Sequence, residues 1–385
     1  METRINRKLS SRGGGRQRAN SRVSLETHEA ALKAIRAFLK GRTSYDVFPV
    51  SFRTIVLDNK LEIKKALNAL LTNSVVSAPL WNGDTARFAG MFTVQDIIHL
   101  IQYYYLHYQN FSYDTVGHDV EQFRLESLRE IERDLGVPTP PLISIHPMKP
   151  LWDACQLLIS THARRLPLLD IQPTGEEVIL SVLTQYRALK AIATNVKEIV
   201  HLQMSLKNLG IGTYRKEPTS ENPYFPIATA TMKTTVFDVV HMFSNLGISA
   251  VPIVDDEGIV VNLYETVDVI TLVRLGVYQH LDLTIEEALE RRPQDFPGVI
   301  TCTGKDTLYS LLKLIRLRRV HRLVVIEGEE GRKGRLAGII TLSDILRYVI
   351  GTESIPQPTA VQSHTSAPST STSTADTPGS AGPSS

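Results

Sequence analysis

An internal repeat is the feature that most constrains how this chain can fold. A helix, a strand, a Gly-containing turn, a second strand and a second helix are predicted four times in the same order. Corresponding residues at the start of the second helices recur at intervals of roughly 80 residues, and they are Asp96, Arg187, Asp268 and Asp344. Because this unit is too long for a thin solenoid, the repeat predicts an α/β protein made of four small domains.

The first helix of each repeat carries one apolar face. Between Ile63 and Leu71, apolar residues fall at positions i, i+3, i+4, i+7 and i+8, as on one side of an amphipathic helix. Similar stripes begin at Leu151, Val236 and Leu308. Each stripe predicts a helix that packs against a core.

Two short strands separate the two helices of each repeat. Three of the first strands contain a proline, Pro79, Pro167 or Pro252, which is typical of an edge strand or a bulged strand. The second strands are predicted at Phe88 to Thr93, Val178 to Thr184, Ile259 to Tyr264 and Leu336 to Thr341. The second helices are predicted to begin at Val94, Gln185, Thr266 and Leu342.

These patterns divide the chain into repeats, connectors and two tails. We expect a disordered basic extension over 1–27 and an amphipathic helix over 28–44, which docks on the body or on a partner. The four repeats are predicted at 45–110, 141–200, 201–280 and 281–351. A helical connector is expected at 111–140, an insertion at 214–226 inside the third repeat, and a disordered Ser/Thr/Pro tail at 352–385.

Composition narrows the function classes. Residues 1–24 carry seven Lys or Arg, although the whole chain has a net charge of only +2, so the body is nearly neutral and nucleic acid is an unlikely main ligand. The basic head is either a solvated extension or a nuclear or nucleic-acid-binding segment. Two isolated cysteines, without a CxxC pair, indicate neither a disulfide framework nor a zinc site. With no apolar run long enough to span a membrane, we expect a chain of the cytoplasm and nucleus.

Four sequence segments carry a resemblance to a known family. They are Ser77 to Trp81, Leu209 to Tyr214, Val320 to Val325 and Leu342 to Leu346. Their order resembles the cystathionine-β-synthase (CBS) domain, and the stretch from Tyr45 to Ile350 resembles the gamma subunits of AMP-activated protein kinase, most of all the fungal form. The resemblance implies four CBS repeats arranged as two pseudo-twofold pairs that form a disc, with adenine nucleotides near its axis.

The resemblance also implies a function. It predicts a non-catalytic regulatory subunit that couples the energy state of the cell to kinase activity, with a catalytic alpha subunit and a scaffolding beta subunit as partners. No tightly bound cofactor is expected; AMP, ADP or ATP would be exchangeable regulatory ligands.

Acidic residues at the start of the second helices are candidate ribose ligands. An ionised carboxylate can accept a hydrogen bond from each of the two ribose hydroxyls. Asp344 is the principal candidate, and Asp268 and Asp96 are weaker ones. The structural alternative is a capping box, because Thr341 and Thr93 stand three residues before their acids.

Cationic residues before the first strands are candidate phosphate ligands. Arg164 and Arg165 stand in the second repeat, and His321 and Arg322 in the fourth. Several charges beside an apolar strand are costly unless an anion pairs with them. The alternative is simple exposure to solvent, as for Arg316, Arg318 and Arg319 nearby.

The family pattern adds residues to one predicted pocket and predicts weaker binding, or none, in the other three. By resemblance, the pocket around Asp344 also uses Thr213, Ala228, Ser249, Thr341 and Ser343. Val76 and Gly247 stand where the family has basic residues in the first and third repeats, so we expect weaker phosphate binding there. Arg187 replaces the ribose carboxylate in the second repeat, whose pocket we expect to be vacant.

Three functions remain to be compared. The leading one is a nucleotide-sensing subunit, and the alternative is a nucleotide-independent scaffold that holds a kinase complex together. An enzyme is disfavoured, because no catalytic domain is left over and the chain lacks GxSxG, HExxH and GxxxxGK[ST] motifs.

Overall fold

A computed structural model describes residues 13–48, 53–73, 75–107, 123–220, 222–274, 282–292, 298–328 and 334–351. The predicted tail at 352–385, the first part of the connector at 111–122 and the start of the basic extension at 1–12 lie outside these residues. Within the described part of the chain, no helix combines the length and the apolar character that crossing a bilayer requires.

Helices and strands alternate along the described chain. The helices are α1 (Gly13–Gly41), α2 (Ile63–Thr72), α3 (Val94–His107), α4 (Leu128–Asp134), α5 (Leu151–Ser160), α6 (Gln185–Asn195), α7 (Val236–Asn245), α8 (Thr266–Arg274), α9 (Ile285–Glu290), α10 (Leu308–Leu317) and α11 (Leu342–Ile350). The strands are β1 (Leu57–Asp58), β2 (Ser77–Asn82), β3 (Arg87–Thr93), β4 (Arg165–Ile171), β5 (Glu177–Thr184), β6 (Thr213–Tyr214), β7 (Ala250–Val254), β8 (Val260–Glu265), β9 (Thr301–Cys302), β10 (Arg322–Glu327) and β11 (Arg335–Thr341).

The four repeats share one architecture. Each consists of a helix, an antiparallel hairpin and a second helix: α2-β2-β3-α3, α5-β4-β5-α6, α7-β7-β8-α8 and α10-β10-β11-α11. The second helices begin at the four residues predicted from the sequence. The predicted α/β class with four repeats is confirmed.

The first strand of each hairpin is flanked on both sides. A short segment ahead of the first helix pairs with it in parallel, through Leu57 and Leu80 in repeat 1 and through Thr301 and Val324 in repeat 4. Isolated bridges in repeats 2 and 3 occupy the same place. The sequence analysis missed these segments, because one or two paired residues leave no periodic signal.

Prolines in the first strands precede bulges. The pairing register shifts after Leu168, next to Pro167, and Pro79 and Pro252 are followed by the same irregularity. A proline carbonyl can still accept a hydrogen bond, and Pro167 O accepts from the Ile145 N–H at 3.1 Å. The bulged alternative is therefore the one observed, and the edge alternative is wrong.

Two hydrophobic cores each join a pair of repeats that are not consecutive in the sequence. Repeats 1 and 3 share one helical core, with Ile98 and Phe243 at its centre. Repeats 2 and 4 share another, which contains Leu158, Ile345 and the buried face of α1. Each core therefore combines helices from the first and second halves of the chain.

The sheets join the repeats in sequence order. Repeats 1 and 2 meet where the Phe88 N–H donates to Glu177 Oε2 at 2.8 Å. Repeats 3 and 4 meet where the Val260 N–H donates to Gly334 O at 3.0 Å, beside a third apolar cluster. Together with the crossed cores, these contacts close a ring of four repeats, which fits the predicted two pairs in a disc.

Helix α1 is longer than predicted. Its C-terminal half buries Ile35 and Leu39 in the core of repeats 2 and 4, as the amphipathic pattern indicated. The helix begins at Gly13, however, so disorder over the whole of 1–27 is wrong. A helix fixed at one end by burial can extend through residues that show no apolar stripe when none of them is proline.

Helix α10 offers a direct test of the shared core. Ile315 is fully buried, whereas Leu317 is 69% exposed on the same helix. Ile315→Ala is expected to lower the free energy of unfolding by about 2 to 5 kcal/mol, because it leaves a cavity between repeats 2 and 4. Leu317→Ala should change it by less than about 0.5 kcal/mol. Urea denaturation followed by circular dichroism measures both, and equal effects would contradict this core assignment.

Candidate functional site

Asp344 has one carboxylate oxygen occupied and the other available. Its Oδ2 accepts hydrogen bonds from the Thr341 N–H at 2.8 Å and from the Thr341 hydroxyl at 2.7 Å, which closes a capping box at the start of α11. The nearest cation to its Oδ1 is Arg347 Nη1 at 3.7 Å, on the same helix. The capping role is thus present, and it leaves Oδ1 free for a second one.

Asp96, the corresponding acid of repeat 1, is occupied on both oxygens. Its Oδ2 accepts from Thr93, and its Oδ1 accepts from Arg129 Nη1 at 2.9 Å. Arg129 lies on α4 and also donates to Met91 O and Glu132 Oε2. Burial raises the pKa of Asp96, and the Arg129 charge opposes that shift.

Asp268, the corresponding acid of repeat 3, is held in the same way. Arg292 donates from Nε to its Oδ1 at 2.9 Å and from Nη2 to its Oδ2 at 2.6 Å. Arg292 Nη2 also donates to Leu263 O, five residues before the acid, just as Arg129 donates to Met91 O. Asp96 and Asp268, the weaker candidate ribose residues, are therefore each engaged by a guanidinium.

In repeat 2 the residue at the position of the acid is itself an arginine, Arg187. Arg187 Nη1 donates to Val182 O at 3.3 Å, again five residues before, and the guanidinium stacks over Phe48 at 5.1 Å. Three repeats thus place an arginine against the same strand carbonyl.

In repeat 4 the backbone of a neighbouring strand, and not an arginine, lies against the equivalent strand carbonyl. Strand β6 pairs with β11, with Thr213 opposite Ile339, five residues before Asp344. Gly212 makes this approach possible, because its φ is +100° and a Cβ there would lie 2.8 Å from Ile339 O. Among the described acids at these positions, Asp344 is the one that keeps an oxygen without a hydrogen bond.

Cationic side chains of repeats 2 and 4 converge. Burial and Arg322 lower the pKa of Arg164 to about 10. Burial, Arg164 and Arg319 lower the pKa of Arg165 to about 10. Such mutual repulsion requires proximity, so the structure brings together the phosphate candidates of the two repeats.

His321 reports the same cluster. Burial, followed by the charges of four arginines, lowers its pKa to about 4. Those arginines are Arg319, Arg322, Arg165 and Arg164. His321 and Arg164 are nevertheless exposed, and Arg165 and Arg322 are partly exposed, so these groups line a recess that is open to solvent. The sequence analysis missed Arg319, which it grouped with the solvent-exposed Arg316 and Arg318.

The cations differ in what they contact. Arg322 Nη1 donates to Ser249 O at 2.7 Å and lies 3.1 Å from Glu265 Oε1. The guanidinium groups of Arg164 and Arg165 have neither a hydrogen bond nor an ion pair with any residue that the structure describes. Recessed cations without a counter-charge are costly, and an anion relieves that cost.

The remaining candidates lie around this recess to different degrees. Ser343 Oγ donates to Gln185 Oε1 at 2.9 Å, which joins repeats 4 and 2, and Thr341 caps α11. Ser249 lies against Arg322, and Thr213 lies on β6. Ala228 follows Ile227, which packs between repeats 3 and 4. The described residues contain no cluster of His, Cys, Asp or Glu suited to a metal ion.

Comparisons with known proteins identify the family of the chain. The CBS domain model matches residues 222–274 and 295–351, which cover repeats 3 and 4. The 5'-AMP-activated protein kinase subunit gamma of Kluyveromyces lactis is 45% identical over 334 residues, which are 86% of this chain and 95% of that protein. The chain belongs to the gamma-subunit family.

Further relatives extend the match. The gamma subunit of Saccharomyces cerevisiae is 43% identical over 335 residues, 87% of this chain and 98% of that protein. A crystal structure from Methanocaldococcus jannaschii, described as an archaeal homologue of the gamma subunit, has a TM-score of 0.60 at 16% identity and covers 80% of this chain and 99% of that one. That structure shows a shared fold, and the two yeast relatives show the family.

Removing one of the arginines that engage the acids should destabilise this gamma subunit. Arg292→Ala leaves the buried Asp268 carboxylate without its ion pair, so the free energy of unfolding is expected to fall by about 3 to 5 kcal/mol. Arg291→Ala removes an exposed neighbour and should cost less than about 0.5 kcal/mol. Urea denaturation compares the two variants, and equal midpoints would show that the Arg292 ion pair carries no stability.

His321 should titrate well below an ordinary histidine. Protonation adds a charge beside four arginines, so its NMR titration midpoint is expected near pH 4 in the folded chain. In the urea-unfolded chain the same resonance should titrate near about 6.5. Added inorganic phosphate should raise the folded midpoint by supplying a counter-charge. His321→Gln assigns the signal, and a folded midpoint near 6.5 would disprove the cation cluster.

Proposed function

We propose that this gamma subunit binds one exchangeable adenine nucleotide, AMP, ADP or ATP, in a principal pocket around Asp344. The supporting observation is that Arg164 and Arg165 of repeat 2, which have no counter-charge among the described residues, converge with His321 and Arg322 of repeat 4 while Asp344 keeps a free acceptor oxygen. An anion with a polyhydroxyl group attached matches both features.

The phosphate end is assigned to the cations. Arg164 and Arg165 have no counter-charge among the described residues, so a phosphate would relieve their mutual repulsion. Arg322 adds a guanidinium from the facing repeat. His321 is neutral in the free chain and becomes easier to protonate once an anion is bound.

The ribose end is assigned to Asp344. Its Oδ2 is fixed by Thr341, so the carboxylate is oriented before any ligand arrives. Its Oδ1 can then accept hydrogen bonds from ribose hydroxyls at little ordering cost. Thr341, Ser343, Thr213, Ala228 and Ser249 are proposed as the surrounding contacts.

A single principal pocket follows from the guanidinium groups. Arg129 and Arg292 occupy Asp96 and Asp268, and Arg187 replaces an acid altogether. We therefore assign no ribose to the first three repeats.

The expected affinity is that of a sensor. Two or three charge-assisted hydrogen bonds contribute about 1.5 to 3 kcal/mol each, before ordering and desolvation costs are subtracted. Dissociation constants of roughly micromolar to sub-millimolar follow. A ligand held this loosely exchanges as nucleotide concentrations change.

Regulation would follow from the position of the pocket. Its groups come from repeats 2, 3 and 4, so a bound nucleotide can favour one arrangement of the ring over another. The names of the relatives support assembly with a catalytic alpha subunit and a beta scaffold, and a regulatory role without turnover. Cys155 and Cys302 are buried free thiols, which fits the reducing cytoplasm and nucleus.

A scaffold function is the second candidate, and one observation favours it. Three of the four equivalent positions are filled by arginine, which makes those repeats structural elements without a ligand pocket. Under this alternative, assembly of the kinase complex does not depend on nucleotide.

Isothermal titration with AMP, ADP and ATP tests the proposal. Asp344→Asn preserves an acceptor for the cap but removes the charge, and it should weaken binding by about tenfold to a hundredfold. Arg165→Ala should weaken it by a similar factor.

Two matched controls accompany these variants. Asp256→Asn and Arg316→Ala change exposed residues outside the site and should bind as the wild type does. Wild-type protein that binds none of the three nucleotides at millimolar concentration would disprove the sensor and leave the scaffold.

A further inference from the structure

Glu265 breaks the pattern of the second helices. Thr93, Thr184 and Thr341 stand at the N-terminal end of these helices in repeats 1, 2 and 4, and each hydroxyl accepts a hydrogen bond from the helix backbone. Repeat 3 has Glu265 at the same position. Its backbone N–H still donates to Asp268, but its carboxylate reaches across to repeat 4.

The carboxylate of Glu265 lies against a proposed phosphate ligand. Its Oε1 is 3.1 Å from Arg322 Nη1, and the two side chains are 18% and 14% exposed. The same Nη1 donates to Ser249 O at 2.7 Å. One nitrogen of Arg322 therefore makes the protein contacts, and among the described residues Nη2 and Nε have no hydrogen-bond partner. The other edge of the guanidinium remains available to an anion.

Glu265 consequently has two opposing effects on an anion at Arg322. It orients the guanidinium, which favours binding. It also places a negative charge in the same recess, which opposes binding by an amount that grows with the charge of the ligand. Burial raises the pKa of Glu265, and the ion pair with Arg322 opposes that shift and favours the ionised form.

We propose that Glu265 is a positioning residue that sets how strongly the pocket of repeat 4 discriminates among nucleotides by phosphate charge. This inference rests on the proposed function. Arg164, Arg165, Arg319 and Arg322 together favour the most highly charged ligand, ATP. The Glu265 carboxylate reduces that preference and so lets AMP, which carries less charge, compete.

A purely structural role for Glu265 makes a different prediction. The ion pair with Arg322 also ties repeat 3 to repeat 4. If that tie were its whole role, substitution would change stability, or would change the affinities for AMP, ADP and ATP by one common factor. The ratio of ATP affinity to AMP affinity therefore separates the two roles.

Two substitutions separate charge from orientation. Glu265→Gln keeps an oxygen acceptor for Arg322 and removes the charge. Glu265→Thr installs the residue of the other three repeats, which can cap α8 but cannot reach Arg322. Glu257→Gln is the matched control, because it removes the same charge from an exposed turn at the other end of the β7–β8 hairpin.

Isothermal titration of the full chain with AMP, ADP and ATP at low and high salt is the experiment. Glu265→Gln is expected to strengthen AMP binding by about twofold and ATP binding by about tenfold, so the ratio of affinities rises about fivefold. Glu265→Thr should raise the ratio without strengthening AMP, because Arg322 loses its orientation. The change should shrink at high salt, and Glu257→Gln should leave the ratio unchanged.

The contrary outcomes are distinct. Wild-type binding that is lost in Asp344→Asn, together with an unchanged ratio in both Glu265 variants, overturns this inference and leaves the proposed function standing. Wild-type protein that binds no nucleotide overturns both. Failure of both variants to fold, as judged by circular dichroism, also overturns it, because it assigns Glu265 to structure alone.

Discussion

In three of the four repeats a guanidinium donates to the same strand carbonyl, and in two of them it also engages the acid at the start of the second helix. In repeats 1 and 3 the arginine comes from a segment that follows the repeat, and in repeat 2 it stands in place of the acid. In repeats 1 and 3 the arginine pairs with the charge of a buried carboxylate, and in repeat 2 it replaces the carboxylate. Repeat 4 differs because strand β6 covers that carbonyl with backbone, which leaves Asp344 its free oxygen.

In the recess beside Asp344, by contrast, most of the cations have no acid to pair with among the described residues. Arg165 is repelled by Arg164 and Arg319, Arg164 is repelled by Arg322, and His321 is held neutral among them. Among the described residues, Glu265 is the acid that forms an ion pair with this cluster, and it does so through Arg322. A protein selected only for stability would not keep such a cluster, and places where local stability is sacrificed are typically functional sites. The free oxygen of Asp344 and the crowded cations beside it both favour repeat 4 as the proposed ligand site.

Periodicity in the sequence predicted the repeats well and their partners poorly. The starts of the second helices, such as Val94 and Leu342, follow from local patterns and are correct. Arg129 and Arg292 left no comparable signal, since each lies more than twenty residues beyond the acid that it engages and the pairing exists only in the folded chain. Glu265 was visible in the sequence as the one departure from threonine among the four repeats. Asp344, Arg165 and Arg322 stay predicted ligand residues, and they were singled out because family resemblance added what spacing alone left open.

The crossed cores have a consequence for how the chain is made. Repeats 1 and 2 meet through their sheets, but the helical faces of each are covered by repeats 3 and 4. During synthesis, the N-terminal half leaves the ribosome with those apolar faces uncovered until the C-terminal half follows. Contacts this distant in sequence form slowly and leave the nascent chain open to aggregation. A chain truncated after repeat 2 would lack the helices of repeats 3 and 4 that complete both cores.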